Sequence, residues 1–239
     1  MRIRPLAHAL LLSLAFAGAP ALAQENVDKV FGGITAEAGR EYGTLETVNG
    51  GITVRAGATV RKASAVNGGI TIGRDARVGS AETVNGGIRL AEGAVAGGVE
   101  TVNGGIRIDK RAEVEDDVEL VNGGITVDDE ARIGGDLSNV NGGIRLGQAE
   151  VGGSVTTTNG DITLDGTTVR GDLRVEKPTG WFSGRKRLPR VVIGAGSVVE
   201  GNLVFEREVE LYVHPDARVG KQQGTAPLML DRPDAPRAD

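Results

Sequence analysis

The chain has 239 residues, 38 of them glycine, with 3 % aromatic residues and no cysteine. Zero cysteines exclude disulfides and thiolate metal sites, and a formal charge of −5 makes nucleic acid an unsuitable partner. The apolar 39 % lies mostly in Val, Ile, Leu and Ala, which suits a narrow core better than a wide aromatic one.

In chain order, Arg2 and Arg4 precede an apolar run over 6–17, and Ala21-Leu22-Ala23 satisfies the small-x-small cleavage rule before Gln24. This predicts a secretory signal peptide over 1–23, cleavage near Ala23, and an exported chain that is periplasmic or at the cell surface. Cleavage removes two arginines and no acid, moving the formal charge from −5 to −7. The apolar run is too short for a spanning helix, no other segment approaches about 18 apolar residues, and no cysteine follows the cleavage site to carry a lipid.

From there the tetrapeptide Asn-Gly-Gly-Ile returns at Asn49, Asn67, Asn85, Asn103, Asn122 and Asn141, with Asn-Gly-Asp-Ile at Asn159; the intervals are 18 or 19 residues. Phe31-Gly32-Gly33-Ile34 is a degenerate copy one period earlier. A short fixed period means a solenoid. Val48, Val54, Val60, Val66, Ile72, Val78, Val84 and Leu90 stand six apart, so three hexads make one coil. The predicted fold is therefore all-β: a single-stranded triangular β-helix with about 18 residues per coil and about ten coils, in a rod of roughly 45–50 Å.

The three faces read as strands over 46–48, 52–54 and 58–60, each alternating inward and outward. On this reading Val48, Val66 and Val84 point inward. The middle face then presents outward Thr53, Thr71, Arg89, Arg107, Thr126, Arg145 and Thr163, and the next face presents Thr47, Ala65, Thr83 and Thr101. Arginine interrupts the threonine columns, which argues against a flat ice-binding surface. Gly50 and Gly51 are expected to take positive φ at a sharp corner. Stacking then puts Asn49, Asn67, Asn85, Asn103, Asn122, Asn141 and Asn159 in one structural turn ladder, their amides about 4.8 Å apart. After residue 114 the hexad spacing slips to seven and five, which places bulges and contractions at corners.

Acids gather at Asp109, Glu113, Glu115, Asp116, Asp117, Asp128, Asp129 and Glu130. No calcium-loop spacing accompanies them, and they read as solvated loop tips. The repeat breaks over 177–190, a basic aromatic loop bracketed by Pro178 and Pro189. It holds the only tryptophan, and Trp181, Phe182, Arg185, Lys186 and Arg187 are candidate contacts for a partner. Strand-like sequence resumes over 191–220 for two further coils. The stretch 221–239 is rich in Gln, Pro and charge and predicts a disordered tail.

The segment 192–220, with Ile193-Gly194-Ala195-Gly196-Ser197-Val198-Val199-Glu200-Gly201-Asn202-Leu203, resembles the polymer-forming bactofilin family. That likeness implies a triangular β-helix that assembles into filaments. The Asn-Gly-Gly-Ile coils resemble exported, adhesin-like β-strand-repeat proteins. Neither resemblance implies catalytic residues or cofactors.

Hexad β-helices also include acyltransferases that rely on a catalytic histidine, and β-helices include enzymes that cleave polysaccharides. Only His214 survives signal removal, with no composition around it that suggests a coenzyme site. Paired carboxylates for glycan chemistry would have to come from Asp109, Asp128 and Asp165, which fall at equivalent places in their coils. The reading favoured by the sequence is a non-enzymatic structural or interaction protein of the cell envelope, without cofactor or metal. Such a rod would self-associate through its ends or bind an envelope glycan or protein.

Overall fold

The computed structural model describes residues 25–178 and 187–234. Within them all regular structure is β-strand, coiled into a parallel β-solenoid in which each strand pairs with its equivalents in the neighbouring coils. One face is an eleven-stranded sheet that starts at Ile34–Ala36, continues through Ile52–Val54 and Ile70–Ile72, and ends at Leu228–Met229. The rod thus has eleven turns rather than about ten. The other two faces form one bent sheet. Early coils cross both with a nine-residue strand, as in Thr59–Asn67 and Arg77–Asn85; later coils split it in two, as in Glu113–Val114 and Val118–Asn122.

The Ile-x-aliphatic strands form because an extended backbone sends alternate side chains to opposite sides, and β-branched residues pack well on a pleated surface. In Ile52–Val54 the outer two residues are buried and Thr53 is exposed. Parallel register then stacks Ile52, Ile70, Ile88, Ile106, Ile125, Ile144 and Ile162 in one inner column. Each coil supplies about six inward residues, as Ile70, Ile72, Ala76, Val78, Ala81 and Thr83 do. Small residues at one corner, Ala58, Ala76, Ala94, Ala112, Ala131 and Ala149, let the chain turn tightly there.

The third face departs from the hexad reading by one residue. Leu45 and Thr47 point inward, whereas Glu46 and Val48 point out. Thr83 and Thr101 are likewise buried, and Val48, Val66 and Val84 are exposed. Inward positions along this stretch are Val60, Ala63 and Ala65, then Ile70, so the bend at Arg61-Lys62 takes two residues and the Asn-Gly-Gly corner takes four. Hexad counting assumes three residues at each corner and therefore inverts this face. The buried hydroxyls brace the long corner: Thr47, Thr83 and Thr101 donate to the carbonyls of Gly32, Gly68 and Gly86 in the preceding turn at 2.9–3.2 Å.

The slips after residue 114 do fall at corners. Val114 pairs with Ala96 while Val118 pairs with Val99, so one extra residue sits among Glu115, Asp116 and Asp117. A side-chain ladder compensates for the broken strand. Asp117 accepts from the amide of Asp136, Asp136 from that of Ser154, Ser154 from that of Asp172, and Asp172 from that of Asn202, at 2.6–3.1 Å. The acids over 115–117 thus include a member of the framework, Asp117, rather than only solvated tips.

Strand pairing continues past residue 221, where the composition suggested a disordered tail. Gln222–Gly224 pairs with Leu203–Phe205, and Leu228–Met229 pairs with Glu210–Leu211. A strand edge offers unpaired amides and carbonyls to any chain that reaches it, which outweighs the weak apolar content of these residues.

Candidate interaction surfaces

The seven asparagines lie in one exposed column. Each of Asn67, Asn85, Asn103, Asn122, Asn141 and Asn159 donates Nδ2–H to Oδ1 of the asparagine one coil earlier, at 2.9–3.1 Å. Arg207 closes the far end, donating Nη1–H to Asn159 Oδ1 at 3.1 Å and to the Thr158 carbonyl at 3.3 Å. Both of these acceptors are neutral, and burial pushes the Arg207 pKa below the usual arginine range.

The glycines beside this ladder are required by close approach. A Cβ on Gly86 would stand 2.2 Å from the Gly68 carbonyl oxygen, and one on Gly68 would stand 2.1 Å from that of Gly50. Gly50 and Gly51 do not adopt positive φ, although Gly68 and Gly104 do. Spacing at the second glycine relaxes along the rod: the nearest backbone oxygen to an added Cβ is 3.0 Å away at Gly69 and 3.8 Å away at Gly143. In the next coil that position holds Asp161, which explains the Asn-Gly-Asp-Ile variant.

Asp161 also anchors the loop. Trp181, Phe182, Arg185 and Lys186 lie outside the described residues, but both feet of their segment are placed. Val175 and Val191 occupy the inner columns on either side of the asparagine corner, so the loop replaces an Asn-Gly-Gly turn. Arg187 pairs with Asp161 Oδ2, and the Arg190 amide donates to Asp161 Oδ1 at 2.9 Å. Stacked on these is a buried ion pair, Arg190 Nε to Glu210 Oε2 at 2.7 Å, with the Glu210 side chain 2 % exposed. Arg190 Nη1 reaches the Pro233 carbonyl at 3.2 Å, tying the end of the chain to the base of the loop.

The Thr/Arg face is exposed as expected on its outward column, and Arg89 and Arg107 on it are engaged by neighbouring acids. Asp109 accepts from Arg89 and Arg107, and Asp128 accepts from Arg107. The Asp109 hydrogen bond and the Asp128 charge together raise the Arg107 pKa. Lys110 and Asp129, 2.7 Å apart, raise and lower each other's pKa through their hydrogen bond. Asp109 and Asp128 are thus held by guanidinium groups. His214 Nδ1 accepts the Asp216 amide hydrogen at 3.1 Å in a local turn. Among the described residues no three His, Cys, Asp or Glu side chains are grouped to hold a metal ion, and no helix is long and apolar enough to cross a membrane.

Two features escaped the sequence reading. The corner before the small alanines needs a left-handed residue; Gly39, Gly57, Gly93 and Gly166 serve in some coils, but Arg111, Glu130 and Gln148 adopt φ of 56°, 60° and 45° in three successive ones. These three line a groove of about 550 Å3 together with Glu113, Arg132 and Glu150. The signal was the recurrence of glycine five residues after the first isoleucine of a coil at Gly39, Gly57 and Gly93, interrupted at Asp75 and again from Arg111 onward. The second feature is the outward valine column created by the inverted face. No protein-family model matches this chain, and no curated protein or solved structure does.

Proposed function

We propose that this chain is an exported, non-enzymatic structural protein of the cell envelope, a stiff β-helical rod that associates end to end. The observation that carries this reading is the last turn, Arg218–Val219, Gln222–Gly224 and Leu228–Met229. Each of these strands is paired only to the coil before it. Val219, Leu228 and Met229 there are 36 %, 40 % and 65 % exposed, although equivalent positions one turn earlier are buried. An unpaired parallel edge with exposed core residues is a template for another strand edge, and head-to-tail contact of this kind propagates into open filaments. The resemblance of 192–220 to polymer-forming bactofilins supports the same reading, and the signal-like segment over 1–23 supports export. Sedimentation velocity over a wide concentration range, with negative-stain imaging, tests it: a growing series of elongated oligomers is expected, and a strictly monomeric rod at high concentration overturns it.

A second reading is an adhesin-like module that binds an envelope glycan or protein. The anchored base of the loop favours it, since Asp161 and Glu210 hold Arg190 at the C-terminal foot of the segment that carries Trp181 and Phe182, and the Glu176 and Lys177 amides are bonded to Thr157 and Glu206 at the other foot. Trp181→Ala is then expected to release a partner captured from envelope extracts while leaving the rod folded; unchanged capture refutes this reading.

A further inference from the structure

Val30, Val48, Val66, Val84, Val121 and Val140 are 39–60 % exposed, and Val102, between Val84 and Val121, is half-buried. They succeed one another at 18- or 19-residue intervals in a single outward column. Six steps of about 4.8 Å make this a straight apolar stripe of roughly 29 Å. Scattered exposed valines need no explanation, but a contiguous row on a solvated strand face does. The outward column on one side holds Glu46, Glu82, Glu100 and Glu119, with Ser64 among them. On the other side stands the asparagine ladder.

We propose that this stripe is a lateral docking surface for a second copy of the same chain, with the two rods parallel. Two symmetric arrangements lay valine on valine. A two-fold axis across the rods keeps left and right in place and sets the glutamate column of one rod against the glutamate column of the other. A two-fold axis along the rods exchanges left and right, so each glutamate column faces the partner's asparagine ladder. The first opposes like charges at an apolar contact, which disfavours it. In the second, donor meets acceptor. Each ladder asparagine spends one Nδ2 hydrogen on the coil before it. The second Nδ2 hydrogen of each exposed amide is left for another acceptor, and a carboxylate is a strong one.

The size of the surface sets the affinity class. From the glutamate to the asparagine column is three residues, about 10 Å, giving roughly 300 Å2 of projected face per rod. That is less than half of the ~800 Å2 per partner of a stable complex, so a single pair of rods associates weakly and at high concentration. Lateral pairing is independent of the end-to-end contact proposed above, although joined rods would present a longer stripe.

Because the chain has no cysteine, single substitutions read the arrangement directly. In parallel rods every stripe residue meets its own counterpart at the same height. Val48→Cys, Val84→Cys and Val121→Cys should therefore each form a cross-linked dimer of the full chain on mild oxidation, and Thr53→Cys on another face should not. Adding Val84→Lys to the Val48→Cys chain should lower the cross-linked yield by about tenfold while circular dichroism stays unchanged. Three results would each overturn the proposal: no cross-linking at any stripe position, Val48→Cys cross-linking only when mixed with Val121→Cys, or equal yield at Thr53→Cys. End-to-end contact leaves mid-rod cysteines of neighbouring rods a rod length apart, so the two proposals fail separately.

Discussion

At the scale of single residues, glycines that look alike in sequence serve different physical ends. Gly57 sits at φ +66° with nothing within 4 Å of an added Cβ, whereas a Cβ on Gly86 would stand 2.2 Å from a backbone oxygen. Gly57→Ala is expected to cost about 1–2 kcal/mol of left-handed strain. Gly86→Ala should cost considerably more, because two stacked backbones cannot separate without breaking ladder bonds on both sides. Urea unfolding of the two variants measures the contrast. Charge burial follows the same kind of argument. Arg190→Met leaves Glu210 buried without its guanidinium and should destabilise by about 3–5 kcal/mol, while the Arg190→Met/Glu210→Met double variant should recover most of that loss. A double variant as unstable as the single one would show that the pair is not what holds this base together.

At the scale of elements, the phase of a strand is set by the corners that bound it. Val60 and Ala63 are both buried with two residues between them, and four residues separate Ala65 from Ile70. One residue moved between those corners inverts the face. The inversion is directly testable: Ala81→Lys places a charge in the inner column and should abolish cooperative folding, whereas Val84→Lys, three residues on, should shift stability by no more than about 0.5 kcal/mol. Thermal denaturation of both separates this phase from the hexad one, which makes the opposite prediction for Val84. The insertion over 115–117 shows how a corner absorbs length. The nine-residue strand divides, and Asp117, Asp136, Ser154 and Asp172 accept backbone amide hydrogens that would otherwise lack partners.

At the scale of the whole molecule, each coil touches only its neighbours, so stability is a sum of coil and interface contributions. The exposed ion pairs add little to it, yet their pH response has a definite sign. The Asp129 pKa is lowered in the fold by Lys110, so its contribution is present at neutral pH and is lost as pH falls through the carboxylate range, below about 4. The Lys110 pKa is raised, so its contribution persists until pH climbs above about 10, and Arg107, also raised from a higher ordinary value, keeps its charge well beyond that. The melting temperature should therefore be nearly flat between these limits. Asp129→Asn should shrink the decline on the acid side, and an unchanged acid limb would contradict the assignment.

The sequence by itself determined the solenoid, its period, the three-faced coil and the column in which the asparagines stand. These depend on spacing along one chain, and a repeat of 18 or 19 residues stacks equivalent positions whatever else occurs. Tertiary contact decided the rest. The phase of the third face depends on how tightly stacked glycine corners approach and on where the Thr83 hydroxyl finds its carbonyl, which are distances between coils. The Asp161, Arg190 and Glu210 stack joins residues 20 to 29 apart across an irregular loop, and no periodicity marks it. The last turn keeps the repeat only as far as Gly220; Gln222–Gly224 and Leu228–Met229 are strands because a strand edge was already there to pair with.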